Sequence, residues 1–540
     1  MEEPGLSGLE ARAAGGVMSV ATVSAPFDEM LEGGIPRSTH RALFNTLEEL
    51  GPQGLAERAR QRDSYLDRHG ITFTLGERER PLPMDLVPRI ITPTEWQSIE
   101  AGVIQRLRTL ELFLADVYGE GQVLHDHVIP RTLVTSSNHF HRQAWGVKPA
   151  NNVRIHVSGI DLIRDEHGIF RVLEDNLRNP SGVSYVLENR RTLAHVLPEV
   201  FAKHRVRSIN EYPERLLEAL RASAPEDVID PTVVVLTPGV HNSAHYEHAF
   251  LARHMGVELV EGRDLYCRDG RVWMRTTAGP QVIDVVYRRI DDDYLDPVHL
   301  RPDSVLGVPG LINVARAGHV GIANAIGNGV ADDKAVYPYV PALMRYYLNE
   351  EPILPNVDTY DLSDPDQRDH VIHNIESMVV KPADGSGGYG LVMGPSATEK
   401  ELVGAIAAIK ADPRSWIAQP VVRFSTYPTV VEDGVIKPRH VDLRPFAVND
   451  GTNVYVLPGG LSRVALPEGS LVVNSSQGGG SKDTWVLEDT QTVDRPIPRE
   501  VPRAAMVDMD IPGRIDAPVT HDDRMLQQER QQQQQGDASC

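Results

Sequence analysis

The segment KPADGSGGYGLV, residues 381–392, determines how the rest of the sequence is interpreted. Its glycines match G-x-G-x-x-G, a pattern found in dinucleotide-binding folds and, when a valine follows, in protein kinases. A dinucleotide-binding fold needs a helix that begins at the last glycine, so that the pyrophosphate meets the helix N-terminus. Residues 391–394, Leu-Val-Met-Gly, instead predict a strand, which argues against a dinucleotide site.

The residues around the glycine loop also argue against a kinase. A kinase lysine follows the loop on the next strand, whereas Lys381 precedes the loop. Asp442 lies in a segment that resembles a kinase catalytic loop, but Asn449 is too far from it to be the second magnesium ligand. Two interpretations remain open at this point: a lysine and flexible glycine loop that hold nucleotide phosphates, or a glycine-rich surface hairpin.

Composition indicates a soluble protein of a reducing compartment. The chain has 540 residues, 41% hydrophobic and 24% charged, with a formal net charge of −21. Nucleic acid and anionic membranes are not expected as partners, because both attract positively charged surfaces. Cys267 and Cys540 are too few for a disulfide framework, and we identify no secretory signal and no apolar run of about 18 residues. We therefore expect a cytoplasmic protein.

The chain is expected to contain an α+β domain between two disordered tails. Residues 1–25 and the Gln-rich 501–540 lack hydrophobic patterning. A capping box at Thr92 precedes apolar residues spaced three and four apart, which predicts a long helix. Within the domain, 26–500, the predicted parts are a mostly helical 26–150, a hairpin in 151–190, a central α/β part in 230–330, and strands around the glycine loop in 331–490.

Three oxygen-bearing side chains lie on the predicted hairpin. Asp161 is on its first strand, and Glu174 and Asn176 share one face of the second strand because side chains alternate along a strand. Two carboxylates and an amide oxygen suit a magnesium ion that carries nucleotide phosphates. Solvated acidic residues on a strand are the alternative interpretation.

The order of these motifs resembles a known family. In ATP-grasp ligases the Asp, Glu and Asn set follows the lysine and glycine loop, whereas here it precedes them by about 200 residues. The inversion resembles circularly permuted ATP-grasp proteins such as eukaryotic glutathione synthetase and glutathionylspermidine synthetase. The motifs that together resemble the bacterial circularly permuted ATP-grasp type 2 family, over roughly residues 26–490, are ERPLPMDLVPRII, EAGVIQRLRTLELFLADVYGEG, LEDNLRNPSGVSYVLENR, VVYRRIDDDYLDP, NGVADDKAVYPYVP, VVKPADGSGGYG, WIAQPVV, RHVDLRPF and VNSSQGGGSKDTWVL.

The resemblance implies a circularly permuted ATP-grasp fold with ATP and Mg²⁺ as cofactors. Asp161, Glu174 and Asn176 would bind the metal, and Lys334 and Lys381 the phosphates. The other implied nucleotide-binding residues are those of the glycine flap, Gly385, Ser386, Gly387, Gly388 and Gly390, and those of the adenine-binding linker, Gln419, Pro420, Val421 and Val422.

The resemblance also implies catalytic and substrate-binding residues. Arg444 and Arg439 would contact the γ-phosphate and then the acyl phosphate, and Asp442 would orient one of these arginines. The residues expected to meet substrate are Asn179, Ser181, Gly182, Glu247 and Arg288.

Two further groups of polar residues each allow two interpretations. Lys482 and Asp483 fit either a loop that closes over ATP or an ordinary polar loop. Without a cysteine beside them, the paired histidines fit polar surface better than a transition-metal site; they are His125, His127, His139 and His141.

The implied reaction is an ATP- and Mg²⁺-dependent ligation of a carboxylate to an amine through an acyl phosphate. The family resemblance places it in a peptide synthesis or modification system, with alpha-E-domain and transglutaminase-like proteins as partners. An inactive nucleotide-binding scaffold and a phosphotransferase are the alternatives. We favour the ligase because a scaffold has no physical need for metal ligands that face phosphate-binding lysines. The sequence leaves both substrates open.

Overall fold

The computed structural model describes residues 26–75, 78–385, 390–474, 478–489 and 523–539. Helices and strands alternate through these ranges, as expected for an α+β protein. The α-helices are Arg41–Arg68, Pro93–Val117, Gln122–His125, Arg131–Thr135, Val183–Val196, Pro198–Phe201, Tyr212–Ala222, His245–Met255, Asp292–Leu295, Leu311–Arg316, Gly329–Asp332, Val340–Leu348, Pro365–His373, Glu399–Ala411 and Asp523–Ser539.

The long helix predicted after Thr92 is confirmed as Pro93–Val117. The Thr92 hydroxyl accepts a hydrogen bond from the backbone N–H of Glu95, and the Glu95 carboxylate accepts one from the backbone N–H of Thr92. This capping box satisfies backbone donors that the helix leaves free at its start. The apolar face of the helix is buried in the main core, where it packs against the helix Val340–Leu348.

An antiparallel sheet joins the predicted hairpin to strands from the C-terminal third of the chain. Strand Val157–Arg164 pairs with Phe170–Asn176, which confirms the hairpin. The other neighbours of Val157–Arg164 in this sheet are Asp442–Leu443 and Phe446–Asn449, and the last of these pairs with Val454–Val456. The proposed metal set and the segment that carries Arg444, between the strands Asp442–Leu443 and Phe446–Asn449, therefore meet in one sheet from distant parts of the sequence. Arg439 belongs to a different sheet.

Two four-stranded sheets flank this arrangement. A parallel sheet, in the part predicted to be α/β, has the order Gly321–Ala323, Val285–Arg288, Val233–Leu236 and Glu258–Val260. An antiparallel sheet contains the strands on both sides of the glycine loop, in the order Tyr360–Asp361, Trp416–Pro420, Met378–Pro382 and Val392–Met393.

The other strands form small sheets. One has three antiparallel strands, Leu265–Arg268, Arg271–Met274 and Gln281–Ile283. The two-stranded sheets are Leu31–Glu32 with Ile35–Pro36, Thr72–Leu75 with Arg78–Pro81, Thr426–Val430 with Ile436–His440, Ser462–Val464 with Gly480–Lys482, and the parallel pair Arg89–Ile91 with Thr484–Val486.

The sheet beside the glycine loop has its own small hydrophobic core. This core is separate from the two larger ones that fill the rest of the molecule. Its buried residues come from the segment 362–418 and are Leu362, Val371, Ile375, Met378, Val380, Ala405, Ile409 and Ala418. Lys381 and the strands on both sides of the glycine loop thus belong to a small lobe with its own core.

The C-terminal residues 523–539 form a helix, whereas the sequence predicts disorder for 501–540. Glutamine side chains attach this helix to the chain beyond the carboxyl ends of two strands of the parallel sheet. Gln532 Oε1 accepts from the N–H of His241, and Gln535 Oε1 accepts from the N–H of Asp291. The amide groups find backbone partners only after the chain has folded, which the local glutamine-rich composition does not indicate.

No helix among the described residues is long and apolar enough to cross a membrane.

Deletion of residues 523–540 should expose three backbone N–H groups. The N–H groups of His241, Asp291 and Val305 donate to glutamine side chains of the C-terminal helix and would lose these partners. We expect faster hydrogen–deuterium exchange in peptides that contain these residues, with unchanged exchange in Val157–Arg164. Equal exchange in the full-length and truncated proteins at all three positions would contradict the docking of this helix.

Candidate functional site

A cavity lies between the small lobe and the central antiparallel sheet. Its apolar wall and its charged wall come from both parts of the chain. The lining residues are Asp161, Leu173, Glu174, Asn176, Lys334, Val357, Val379, Lys381, Pro382, Gly385, Leu391, Met393, Gln419, Pro420, Val421, Val422, Phe424, Asp442, Arg444, Arg463, Leu471, Val472, Val473 and Asn474. The predicted metal set, both predicted lysines and Arg444 therefore share one cavity.

The hairpin positions the three predicted metal-binding residues. Asp161 lies directly opposite Glu174, and Asn176 lies opposite Gly159, so the three side chains are neighbours across two strands. A β-bulge follows Asp161 in the pairing of the strands. The Nδ2 atom of Asn176 is buried and has no hydrogen-bond partner among the described residues. An unpartnered amide at this position can bind a ligand atom.

A buried ion network occupies the charged wall. Arg444 forms a bidentate ion pair with Asp161, in which Nη2 lies 2.9 Å from Oδ2. Arg463 Nη2 lies 2.7 Å from the same Oδ2 and also contacts Asp442. Burial alone would raise the pKa of Asp161, but Arg444 and Arg463 outweigh it and lower the pKa to about 2. Asp161 is therefore ionised at neutral pH.

Asp442 orients an arginine other than those predicted. Its carboxylate accepts from Nε of Arg463 at 3.0 and 2.9 Å, and it forms no ion pair with Arg444 or Arg439 among the described contacts. Sequence reasoning missed Arg463, which lies in the segment Leu-Ser-Arg-Val, residues 461–464, as its only charged residue. A single arginine in such a strand is a signal that a buried carboxylate lies opposite, because arginine is rarely buried without a partner.

The two lysines approach the cavity from different elements. Lys334 Nζ lies 2.9 Å from Glu174 Oε1 and also donates to the carbonyl of Gly385. Lys381 Nζ donates to Oε1 of Gln419 at 2.7 Å. Burial lowers the pKa of Lys381 to about 8, with Glu174 acting in the opposite direction and Lys334 adding to the decrease. An anionic ligand would stabilise the charged form of such a buried lysine.

The glycine loop connects two paired strands, as predicted. Gly385 lines the cavity, and Gly390, at φ +72°, precedes the strand Val392–Met393. The predicted flap residues Ser386, Gly387 and Gly388 lie outside the described residues. The linker residues Gln419, Pro420, Val421 and Val422 all line the cavity and continue from the strand Trp416–Pro420.

Several predicted residues lie outside the cavity lining. Arg439 donates to the carbonyls of Leu466 and Pro438 and forms an ion pair with Glu468. Arg288 is fully buried and donates to the carbonyls of Asn324, Ile290 and Ala325. Its guanidinium holds the loop beyond the strand Val285–Arg288 in place, so its contacts are structural.

Glu247 also lies outside the cavity lining. It is fully buried, and its carboxylate accepts from the N–H groups of Gly182 and Ser184, the Ser184 hydroxyl and Arg289. This carboxylate lies at the start of the helix Val183–Val196, where negative charge is favourable. Gly182 itself has φ +116°, and an added Cβ would lie 2.7 Å from Leu461.

Other polar residues with open interpretations are buried away from the cavity lining. Lys482 pairs with Asp85, and Asp483 accepts from Arg190 and from the indole N–H of Trp485. Both residues are fully buried in ion pairs. They therefore belong neither to a loop that closes over ATP nor to a polar surface loop. In the part of the chain that the structure describes, no group of three His, Cys, Asp or Glu residues could hold a metal ion.

A second, smaller pocket adjoins the cavity and shares Glu174, Asn176, Lys334 and Gly385 with it. Its other lining residues are His139, Asp175, Arg178, Asn179, Asp291, Asp332 and Asp384. Asn179, predicted to meet substrate, lies here, and the Ser181 hydroxyl accepts from Arg289 at the edge of the same loop. Sequence reasoning did not connect Asp291 with a site, because the pocket forms only when distant segments meet.

The fold and the lysine–glycine hairpin define an ATP-grasp protein. The family profile described as circularly permuted ATP-grasp type 2 matches residues 88–465, and the chain belongs to this family. A glutathione synthetase-like effector from Globodera pallida, solved in its apo form, is similar in fold, with a TM-score of 0.52 and 13% identity over 81% of this chain and 98% of that one.

Relatives of high identity occur in several bacteria. An uncharacterized protein of Mycobacterium tuberculosis is 58% identical over 88% of this chain and 86% of the relative. An uncharacterized protein of Synechocystis is 49% identical over 86% of this chain and 97% of the relative. A provisionally named glutamate–cysteine ligase of Frankia casuarinae is 45% identical over 85% of this chain but only 53% of the relative, so its name covers a longer protein.

Replacement of Arg463 should strongly destabilise the protein. Arg463→Ala leaves the buried Asp442 without its cation, for which we expect a loss of about 3–5 kcal/mol in the free energy of unfolding, measured with denaturant. The control is Arg205→Ala, which removes a solvent-exposed pair with Glu488 and should cost less than about 1 kcal/mol. Equal losses in the two variants would contradict the structural importance of the buried network.

Proposed function

We propose that this protein is an ATP- and Mg²⁺-dependent carboxylate–amine ligase. The observation that carries the proposal is the composition of the cavity, which joins an apolar wall to a cluster of cations and carboxylates. The apolar wall, with Leu173, Met393 and Phe424, suits a purine base, and the charged wall suits a triphosphate. Lys334, Lys381 and the paired arginines would neutralise charge on a transferred phosphoryl group.

The residues present fit a magnesium ion at one end of the charged wall. Glu174 and Asn176 carry oxygen atoms on the same strand face, and hard oxygen ligands are those that Mg²⁺ prefers. Both oxygens of Asp161 are already held by Arg444 and Arg463. In the proposed site Glu174 and Asn176 would hold Mg²⁺, and Asp161 would orient the arginines or join the metal when an arginine turns to phosphate.

Bound Mg²⁺ would neutralise phosphate charge and fix the geometry of the triphosphate. The chain itself would position the groups that react. Lys381 and Lys334 would hold phosphate oxygens, and Arg444 would face the carboxylate that becomes an acyl phosphate. The small lobe, with the glycine loop, would exclude water, which would otherwise hydrolyse this intermediate.

A ligase is favoured over the two alternatives. Family membership supports ATP-grasp chemistry, and the Frankia casuarinae relative bears the name of a ligase that joins an amine to a carboxylate. A nucleotide-binding scaffold would not need the charge arrangement around Glu174. A peptide synthesis or modification system, with alpha-E-domain and transglutaminase-like partners, remains our proposal for the setting.

The decisive experiment is an assay of ADP release with mixtures of amino acids and short peptides, followed by mass spectrometry of the products. A ligase releases ADP only when a carboxylate and an amine are both present, and the product gains an amide bond. Release with the carboxylate alone would indicate a phosphotransferase. Nucleotide binding without any release in the complete mixture would indicate a scaffold.

Nucleotide affinity should fall as the pH rises through about 8, the pKa to which burial lowers Lys381. Because the pKa is lowered, the ammonium that contacts phosphate is present below this pH and lost above it. We expect calorimetry to show weaker binding of Mg-ATP at pH 9 than at pH 7. Lys381→Ala should weaken binding at pH 7 by about tenfold or more and flatten this pH dependence.

The matched control is Lys410→Ala, which removes an exposed lysine that does not line the cavity. It should leave both the affinity and the pH dependence unchanged. An affinity of the Lys381→Ala variant equal to that of the control would remove Lys381 from the proposed phosphate site.

Glu174→Gln should retain the fold and abolish turnover. A neutral amide is a much weaker magnesium ligand than a carboxylate, and it also loses the ion pair with Lys334. We expect a loss of at least about 100-fold in ADP release, because positioning of the phosphates depends on the metal. The control Glu468→Gln changes a carboxylate that is 83% exposed and should keep full activity. Full activity of Glu174→Gln would place the metal elsewhere.

A further inference from the structure

The second pocket has an excess of negative charge. Five carboxylates line it, against the two cations Arg178 and Lys334; the carboxylates are Glu174, Asp175, Asp291, Asp332 and Asp384. His139 adds no positive charge, because burial and the neighbouring Arg178 lower its pKa well below the usual value. The pocket therefore attracts cations, in contrast to the cationic wall of the cavity beside it.

Some of these carboxylates are already neutralised by arginines. Arg106 pairs with Asp175, and Arg178 Nε donates to Asp332 at 2.9 Å. Asp384 forms no ion pair among the described residues, and its Oδ2 accepts from the Asn138 amide. Asp291 is 3.8 Å from Arg178, which is longer than a hydrogen bond. Arg178 is thus shared between Asp332 and Asp291, and Asp384 has no cation partner among the described residues, which leaves the pocket with an excess of negative charge.

An unpartnered acceptor lies beside Asp291. Asn179 is only 8% exposed, and its Nδ2 donates to Oδ1 of Asp291 at 2.9 Å. The carboxylate can only accept, so this contact fixes which atom of the amide is nitrogen. Oδ1 of Asn179 is consequently left without a hydrogen-bond partner among the described residues. A buried acceptor of this kind is costly unless a ligand supplies a donor.

We propose that the second pocket binds a protonated amine between Asn179 Oδ1 and the carboxylate of Asp291. An ammonium group has three donors and a positive charge, which match the free acceptor and the excess of carboxylates over cations in the pocket. The pocket shares the lining residues Glu174, Asn176 and Lys334 with the cavity, so an amine bound here would be next to the proposed phosphate site. This inference rests on the proposed function and assigns the pocket to the amine substrate.

The C-terminal helix contacts the backbone of the loop that carries Asp291. The N–H of Asp291 donates to Oε1 of Gln535 at 3.1 Å, so the C-terminal helix fixes the backbone of this residue. The carboxylate of Asp291 is thereby placed toward Asn179 before a ligand arrives. A preorganised carboxylate loses little freedom on binding, which favours affinity.

Calorimetry with two probes of opposite charge tests the proposal. The full chain would be titrated with 1,4-diaminobutane and with glutarate, each with and without Mg²⁺ and a non-hydrolysable ATP analogue. We expect the diamine to bind and glutarate not to bind. Asp291→Asn should weaken diamine binding by roughly tenfold or more, because a charge-assisted contact is lost.

Two further variants complete the test. Asp384→Asn changes a more exposed carboxylate of the same pocket and should also weaken diamine binding, with little risk to the fold. Asp269→Asn is the matched control, since Asp269 is 85% exposed, has φ 53° and does not line the pocket. Asparagine tolerates this backbone conformation as well as aspartate, and diamine binding should be unchanged.

The outcomes separate this inference from the proposed function. Failure of the ATP analogue to bind would overturn the proposed function itself. Binding of the analogue together with no binding of the diamine, preference for glutarate, or equal effects of Asp291→Asn and Asp269→Asn would overturn the amine pocket alone.

Discussion

The paired charges of Asp161, Arg444, Arg463 and Asp442 are the constraint on which the rest of the structure depends. Both carboxylates are almost fully buried, and each is held by at least one arginine. A buried charge without a partner costs several kcal/mol, so these groups must find one another when the chain folds. They come from the hairpin and from strands near the end of the domain, and their pairing joins the two ends of the permuted sequence.

This pairing also explains where the cavity forms. The central sheet contributes charged residues to the cavity, and the small lobe contributes Lys381 and Gly385. The lobe has its own core, separate from the two main cores. Burial disfavours the charged form of Lys381. An anionic ligand would stabilise this form strongly, because charges interact more strongly away from water.

The two adjoining pockets differ in charge balance. Four cations and three carboxylates line the cavity, whereas two cations and five carboxylates line the second pocket. Glu174 and Lys334 lie on the boundary and form an ion pair with each other. Such a division is suited to a reaction that brings an anionic intermediate and a cationic amine together, since each substrate is directed to its own side.

Much of the fold and part of the site could be predicted from the sequence alone. The helix after Thr92, the hairpin with Asp161 and Glu174, and the strand–glycine loop–strand around Lys381 depend on neighbouring residues, and local patterns specify them. The partner of Asp442, the structural use of Glu247 and Arg288, the docking of the C-terminal helix and the pocket at Asn179 were decided by the tertiary structure. These features depend on contacts between residues hundreds of positions apart, and no local spacing indicates which buried charge or amide will meet which partner.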